Sequence, residues 1–169
     1  MFRPVTSSNR NPLAKIIFVC TGNRCRSPMA EAILRTRWAE AGASGLVVSS
    51  MGIHGVEKQP ATEFAIKVCE SHGVNLSKFI SRPLVHEELR ESDLIFVMET
   101  FQKNFLKLFF PMLDDRVFLL RAWPQQKVSK RLDIKDPMGG KMKKYERAFK
   151  ELSAEIDRIL PLLTQQYTS

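Results

Sequence analysis

Two thiols and two guanidinium groups lie close together in the stretch VCTGNRCRSPMAEAI, residues 19–33. Cys20 and Cys25 alternate there with Arg24 and Arg26, between an apolar run and a helical pattern. Two kinds of chemistry fit such a stretch: a metal or disulfide clip, or a cradle in which a thiolate attacks a bound anion. The rest of the sequence discriminates between them.

The cysteine count argues against a clip. Three cysteines in 169 residues are too few for a disulfide scaffold, and an odd count is typical of reduced thiols. Structural zinc needs four ligands at paired spacings, and His54, His72 and His86 show no such pairing with the thiols. The sequence contains neither a membrane-spanning apolar run nor the apolar core of a secretory signal. We therefore expect a cytoplasmic protein that uses no metal and no cofactor.

The composition, 44% hydrophobic and 26% charged, is that of a globular protein. We predict a flexible N-terminal tail over residues 1–11 and a single domain over residues 12–165. The net charge of +8 is concentrated between residues 116 and 150, where 11 Lys and Arg face three acids. Such a segment attracts anions such as nucleic acid, acidic membrane or acidic and phosphorylated protein, but it is equally compatible with a solvated basic surface.

Short apolar runs alternate with helical patterns along the chain. Four runs predict buried strands, at residues 15–20, 46–50, 93–98 and 116–120. Helical patterns cover residues 27–41, 62–72, 85–91 and 101–110, and a last helix carries an apolar stripe from Tyr145 to Leu163. This alternation predicts an α/β three-layer sandwich, with a central four-stranded parallel sheet and helices on both faces. Ligands bind at the carboxyl ends of such strands, where residues 19–33 begin.

The loop that follows the first strand has the features of an oxyanion cradle. Gly22 and Asn23 tolerate backbone conformations that turn successive N–H groups inward, and Pro28 is expected at the first helical position. We predict a phosphate-binding loop formed by Thr21, Gly22, Asn23, Arg24, Cys25, Arg26 and Ser27. Backbone N–H groups and a helix N-terminus would stabilise a thiolate, which makes Cys20 the candidate nucleophile.

Two side chains of this loop would assist Cys20. The planar guanidinium of Arg26 can bind two phosphate oxygens, and the Ser27 hydroxyl can cap the helix and donate to the sulfur. A Cys six residues before an Arg also occurs by chance, and a buried Cys at a strand end is usually inert. Among the three cysteines, only Cys20 has an arginine at that spacing and stands in a strand–loop–helix setting.

Phosphoryl transfer through a thiol also needs a proton donor for the departing oxygen. The segment DIKDPMGG provides Asp133 and Asp136, and Pro137 restricts Asp136 to an extended conformation. Taken alone, this segment is more typical of an ordinary Asp-Pro turn than of a catalytic carboxylate. We select Asp136 as the candidate general acid and base.

The sequence resembles the low-molecular-weight protein tyrosine phosphatases over residues 15–163. VCTGNRCRSPMAEAI is similar to the C-x5-R-S phosphate loop and following helix of that family, and Asp136-Pro137 resembles its general-acid motif. The resemblance implies that Cys20 takes the phosphoryl group while Asp136 protonates the leaving oxygen, after which Asp136 assists water. It implies no metal. Asn23 and Ser50 match residues that hold the family's loop in shape.

Several positions depart from the family pattern. Met138 and two glycines follow Pro137, where the family often carries aromatic residues, and His54 or Trp123 are candidate replacements. Lys78 stands where the family has a histidine that supports the loop. Cys25 matches a second loop cysteine, interpreted either as a thiol that traps oxidised Cys20 or as a small packing residue.

These departures leave a main hypothesis and two alternatives. The resemblance favours hydrolysis of phosphotyrosine in proteins. The expected substrates include acidic proteins or a tyrosine kinase, and phosphate or other oxyanions are expected to bind in the loop. A branch that acts on phosphoarginine shares CTGN and DPMGG but has threonine where this chain has Arg24, whose charge would repel a guanidinium. Arsenate reduction would need two downstream cysteines, and only Cys69 follows. A non-catalytic binder of phosphate or nucleic acid is the other alternative, although no nucleic-acid motif is present.

Overall fold

The computed structural model describes residues 13–168, so the predicted N-terminal tail lies outside the described residues. The sheet contains four strands, each made from one of the apolar runs: β1 (Ala14–Cys20), β2 (Leu46–Gly52), β3 (Leu94–Val97) and β4 (Val117–Leu119). All pairings are parallel, and the strand order is β2-β1-β3-β4. The predicted four-stranded parallel sheet is confirmed.

Helices connect the strands: α1 (Arg26–Glu40), α2 (Glu63–Ser71), α3 (His86–Glu91), α4 (Thr100–Phe109) and α5 (Met142–Tyr167). Short 3₁₀ segments occupy Pro111–Arg116 and Lys130–Leu132. The prediction that Ser27 caps the first helix is wrong. Helix α1 begins at Arg26, so Ser27 lies inside its first turn and its hydroxyl bonds elsewhere.

Alternate side chains of the central strands enter two separate cores, because successive residues of a strand point to opposite faces. Phe18 and Phe96 stack at 5.6 Å on the face covered by α1, α2 and α5. Ile17 and Ile95 point to the other face, which α3 and α4 cover. This arrangement confirms the three-layer sandwich. The apolar stripe of α5 is buried from Tyr145 to Leu163, as its periodicity predicts.

The strand order places a switch point at the carboxyl end of β1. From β1 the chain passes to β2 on one side, and later to β3 on the other. Helices that leave neighbouring strands toward opposite faces open a crevice at that point, which is where such sheets bind ligands. Cys20 is the last residue of β1 and stands at this crevice. Within residues 13–168, no helix combines the length and apolarity that a bilayer crossing requires.

Substitution of Leu152 by alanine should lower the free energy of unfolding by about 2–5 kcal/mol, since this fully buried side chain joins α5 to the sheet. Leu162 on the same helix is 41% exposed, so Leu162→Ala is the matched control and should change stability far less. Urea unfolding monitored by circular dichroism measures both values. Equal losses for the two variants would contradict the placement of the core.

Candidate active site

The loop after β1 wraps around the sulfur of Cys20. The backbone N–H of Asn23 donates to Cys20 Sγ over 3.2 Å, and the Ser27 hydroxyl lies 3.0 Å from the same sulfur. Asn23 has φ +53°, the left-handed conformation that Asn adopts more readily than most residues. This turn directs its N–H toward the sulfur. The local sequence therefore brings the thiol, an amide and a hydroxyl together.

The buried side chain of Asn23 connects three segments. Its amide nitrogen donates to the hydroxyls of Ser27 and Ser50, each over 2.9 Å, and its carbonyl oxygen accepts the Arg82 N–H over 2.9 Å. The amide is fully buried and all of these bonds are to the protein. The structure thus brings Asn23 and Ser50 into the contact that their resemblance to family residues implied.

Glu31 and Arg82 support this network, and the sequence reasoning missed both. The Ser50 hydroxyl donates to Glu31 Oε2 over 2.7 Å, while Arg82 Nε donates to the Ser50 carbonyl over 3.1 Å. Lys78 instead lines a cavity of about 560 Å³ next to Glu31. One signal could have identified Glu31: it lies four residues after Ser27, and residues i and i+4 share a helix face.

The segment that carries Arg82 packs very closely on the chain that follows β2. A Cβ placed on Gly55 would lie 2.2 Å from the Arg82 carbonyl oxygen, so a glycine is required for this approach. The Arg82 carbonyl in turn accepts the N–H of Gly52 over 3.1 Å. The support for Asn23 therefore depends on contacts between segments that are distant in sequence.

The guanidinium of Arg26 is buried among negative groups. Its Nη1 donates to Glu99 Oε2 over 2.6 Å and to the Ile134 carbonyl over 2.8 Å, and its Nη2 lies 3.0 Å from Asp136 Oδ2. Burial opposes this charge, but the Cys20 sulfur and the neighbouring carboxylates overcome that effect and raise the pKa of Arg26. The guanidinium therefore stays charged.

The Nε–H of Arg26 is a buried donor with no acceptor among the described residues. Unpaired buried donors are rare, and each calls for an explanation. An oxyanion in the loop would accept from Nε and Nη2 together, in the bidentate geometry that guanidinium groups offer to phosphate. Glu99, which the sequence reasoning also missed, would keep Nη1 in place. Its signal is its position two residues beyond the carboxyl end of β3.

The two candidate carboxylates, those of Asp133 and Asp136, have different partners in the structure. Asp133 Oδ1 accepts the backbone N–H and the hydroxyl of Thr100, each over 2.8 Å, so its carboxylate fastens the loop to the start of α4. Asp136 is 40% exposed and reaches Arg26, while its Oδ1 accepts the Met138 N–H over 3.1 Å. Of the two carboxylates, Asp136 is the one that contacts the Arg26 guanidinium.

Cys25 packs the loop against its neighbours. Its sulfur lies 3.4 Å from the Thr62 hydroxyl and 3.6 Å from the Tyr145 hydroxyl, and burial raises the pKa of its thiol. Burial also raises the pKa of Cys69 to about 12. The three cysteines, all within the described residues, are free thiols. The same residues include no group of three or more His, Cys, Asp or Glu side chains able to hold a metal ion.

The mouth of the loop is lined by small and flexible groups. A Cβ on Gly22 would lie 3.9 Å from the Met138 methyl group, so Met138 covers this part of the loop. Arg24 Nε donates to the Pro60 carbonyl over 3.0 Å, and the His54 N–H donates to the Thr21 carbonyl over 2.8 Å. Trp123 is buried edge-on against Phe96 in the core, so it does not replace the missing aromatic residue at the mouth.

A parallel α/β sandwich with a Cys–Arg phosphate loop at its switch point defines the class of small phosphatases built on this fold. The profile of the low molecular weight phosphotyrosine protein phosphatase family matches residues 15–168. The chain belongs to this family and is a phosphatase.

Relatives of two specificities match the chain. The low molecular weight protein-tyrosine-phosphatase Etp of Escherichia coli is 35% identical over 143 residues, which cover 85% of this chain and 87% of Etp. A protein-arginine-phosphatase of Bacillus subtilis is 32% identical over 151 residues, covering 89% of this chain and 95% of that protein. The structure of the YwlE arginine phosphatase from Geobacillus stearothermophilus superimposes with a TM-score of 0.81 at 31% identity, covering 90% and 94% of the two chains.

Replacement of Asn23 by alanine should weaken the binding of inorganic phosphate at least tenfold, because it removes the hydrogen bonds that hold the loop in its left-handed turn. Isothermal titration calorimetry measures the dissociation constant. Lys58 has nearly the same backbone conformation, φ +60°, on the surface, so Lys58→Ala controls for backbone strain alone. Unchanged phosphate affinity in Asn23→Ala would show that the side-chain network does not maintain the loop.

Proposed function

We propose that this phosphatase hydrolyses phosphotyrosine in proteins through a cysteinyl-phosphate intermediate, with Cys20 as nucleophile and Asp136 as general acid and base. The observation that carries the proposal is the meeting of three groups at one loop: the Cys20 sulfur, the buried Arg26 guanidinium and the Asp136 carboxylate. Proteins that carry such phosphates, a tyrosine kinase among them, are the proposed partners. The Escherichia coli relative named a tyrosine phosphatase supports this choice.

In the first step the Cys20 thiolate attacks phosphorus. The S–P bond forms as the ester P–O bond breaks, and protonated Asp136 gives its proton to the leaving phenolic oxygen. The transferred group carries its charge on three oxygens, which the loop N–H groups and the Nε and Nη2 of Arg26 would bind. For this the phosphate must replace Asp136 as the partner of Nη2.

In the second step water attacks the phosphocysteine. Asp136 accepts a proton from the water, the new P–O bond forms, and the S–P bond breaks to return the thiolate. The Ser27 hydroxyl, 3.0 Å from the sulfur, would donate a hydrogen bond that improves the thiolate as leaving group. Every proton and charge in both steps is assigned to a group of this chain, so we expect activity without added metal.

Phosphoarginine is the second candidate substrate, because relatives named arginine phosphatases match the chain almost as well as the tyrosine phosphatase. Arg24 argues against it. Arg24 belongs to the loop itself, and its Nε donates to the Pro60 carbonyl over 3.0 Å. A positive charge there would repel the guanidinium of phosphoarginine, whereas a phenyl ring carries no net charge and can contact Met138.

An aryl phosphate assay with chelator present tests the mechanism. The wild type should be active and inhibited by vanadate, Cys20→Ser should be inactive, and Asp136→Ala should lose about 10²- to 10⁴-fold in kcat, the usual contribution of a general acid. Asp133→Asn is the matched control, since that carboxylate holds the loop rather than facing the site. It should keep most of the activity. A wild type that is inert but binds oligonucleotide with steep salt dependence would support the non-catalytic alternative.

Substitution of Arg24 by threonine should change substrate preference. Removal of the like charge should raise kcat/KM for a phosphoarginine peptide relative to the matching phosphotyrosine peptide, by roughly two- to fivefold for one exposed charge pair. Arg90→Thr, at the end of α3 that leads into the amino end of β3, controls for the loss of an exposed arginine. If the wild type already prefers phosphoarginine, the tyrosine assignment is wrong, although the two-step mechanism would stand.

A further inference from the structure

A cavity of about 280 Å³ adjoins Asp136. Three cationic side chains line it: Lys135, Lys144 and Arg147. Two acidic side chains, Asp136 and Glu151, complete the charged lining. We call the three cations the basic flank. Because Asp136 belongs to both the cavity and the candidate active site, a ligand in the cavity would lie beside the substrate.

The acidic groups of the cavity are already paired with cations. Asp136 Oδ2 lies 3.0 Å from Nη2 of the buried Arg26. Glu151 contacts two guanidinium groups, at 3.2 Å from Arg121 Nη2 and 2.9 Å from Arg147 Nε. Among residues 13–168, no carboxylate pairs with Lys135 or Lys144. The cavity therefore presents unneutralised positive charge.

The start of α5 adds to this field. Lys141 precedes the helix, and within residues 142–147 the helix carries Lys143, Lys144 and Arg147 against one acid, Glu146. No acidic residue occupies its first turn, and no side chain caps it in the described structure. The N-terminus of a helix is electropositive, so cations there destabilise the helix. The clustered cations therefore lower the stability of this end of the helix, and a bound anion would reduce their repulsion.

The position of Lys144 is defined by packing. A Cβ on Gly140 would lie 2.4 Å from Lys144 Cδ and 3.2 Å from its Cβ, so the aliphatic part of Lys144 lies directly on the loop that follows Asp136. The neighbouring Tyr145 is buried, and its hydroxyl contacts Cys25 of the phosphate loop. The basic flank is thereby tied to the phosphate loop and has a fixed relation to it.

We infer that the basic flank binds acidic side chains that neighbour the phosphorylated residue in the protein substrate. The inference rests on the proposed function, because it assigns a second contact to the substrate of that site. A cavity of this volume accommodates one or two side chains. A peptide with an aspartate or glutamate near its phosphotyrosine fits both the charge and the size.

Two phosphotyrosine peptides of equal length test this inference, one with aspartates beside the phosphotyrosine and one with asparagines. The wild type should show a kcat/KM roughly three- to tenfold higher for the acidic peptide, the gain expected from one or two exposed charge pairs. The double variant Lys135→Gln/Lys144→Gln should bring this ratio close to one. In the wild type the ratio should also fall at about 1 M salt, where the Debye length is about 3 Å.

The matched control is Lys127→Gln/Lys150→Gln, which removes the same charge from exposed lysines outside the cavity. It should keep the wild-type ratio. A ratio of one in the wild type, or an equal loss in both double variants, would overturn the inference. Failure to hydrolyse either peptide would instead contradict the proposed function. Inhibition by a single-stranded oligonucleotide that disappears only in Lys135→Gln/Lys144→Gln would assign the surface to nucleic acid and overturn the inference as well.

Discussion

The buried amide of Asn23 is the constraint on which the phosphate loop depends. The loop turns the Asn23 N–H toward the Cys20 sulfur, so this part of the backbone lies outside regular secondary structure and needs other hydrogen-bond partners. Asn23 adopts a left-handed backbone conformation, and its side chain forms hydrogen bonds with three separate segments. Each partner is itself held by a strand, a helix or a close backbone contact. The loop is therefore held by contacts within the protein, which lowers the ordering cost of ligand binding.

The charges around Arg26 suit the replacement of one anionic partner, the Asp136 carboxylate, by another, a bound oxyanion. Arg26 is fully buried, yet it remains charged because the sulfur and two carboxylates surround it. Glu99 and the Ile134 carbonyl hold one nitrogen, while Asp136, on a partly exposed loop, contacts another. In the mechanism we propose, an oxyanion replaces Asp136 while Glu99 and the Ile134 carbonyl keep the guanidinium in place. The released carboxyl group would then lie next to the ligand oxygen that needs its proton.

The hydrogen bonds that support Asn23 come from residues other than the histidine expected from the family. The family resemblance led us to look for a histidine behind Asn23, and Lys78 occupies that sequence position. In the structure, Glu31 accepts from Ser50, and the backbone of Arg82 donates to Asn23. The network needs one acceptor and one donor in those places, and it does not need an imidazole. Residue identity at position 78 was therefore a poor guide to whether the support exists.

The sequence by itself determined the four strands, the parallel α/β layering and the position of the loop, because these follow from periodicity and from the short spacing between Cys20 and Arg26. It also singled out Asp136 over Asp133 through the following Pro137, and in the structure Asp133 is bonded to Thr100 instead. Only the tertiary structure decided that Glu31, Arg82 and Glu99 complete the site and that Trp123 does not. Those contacts join residues up to 73 positions apart, as for Arg26 and Glu99, and no local pattern encodes such a distance.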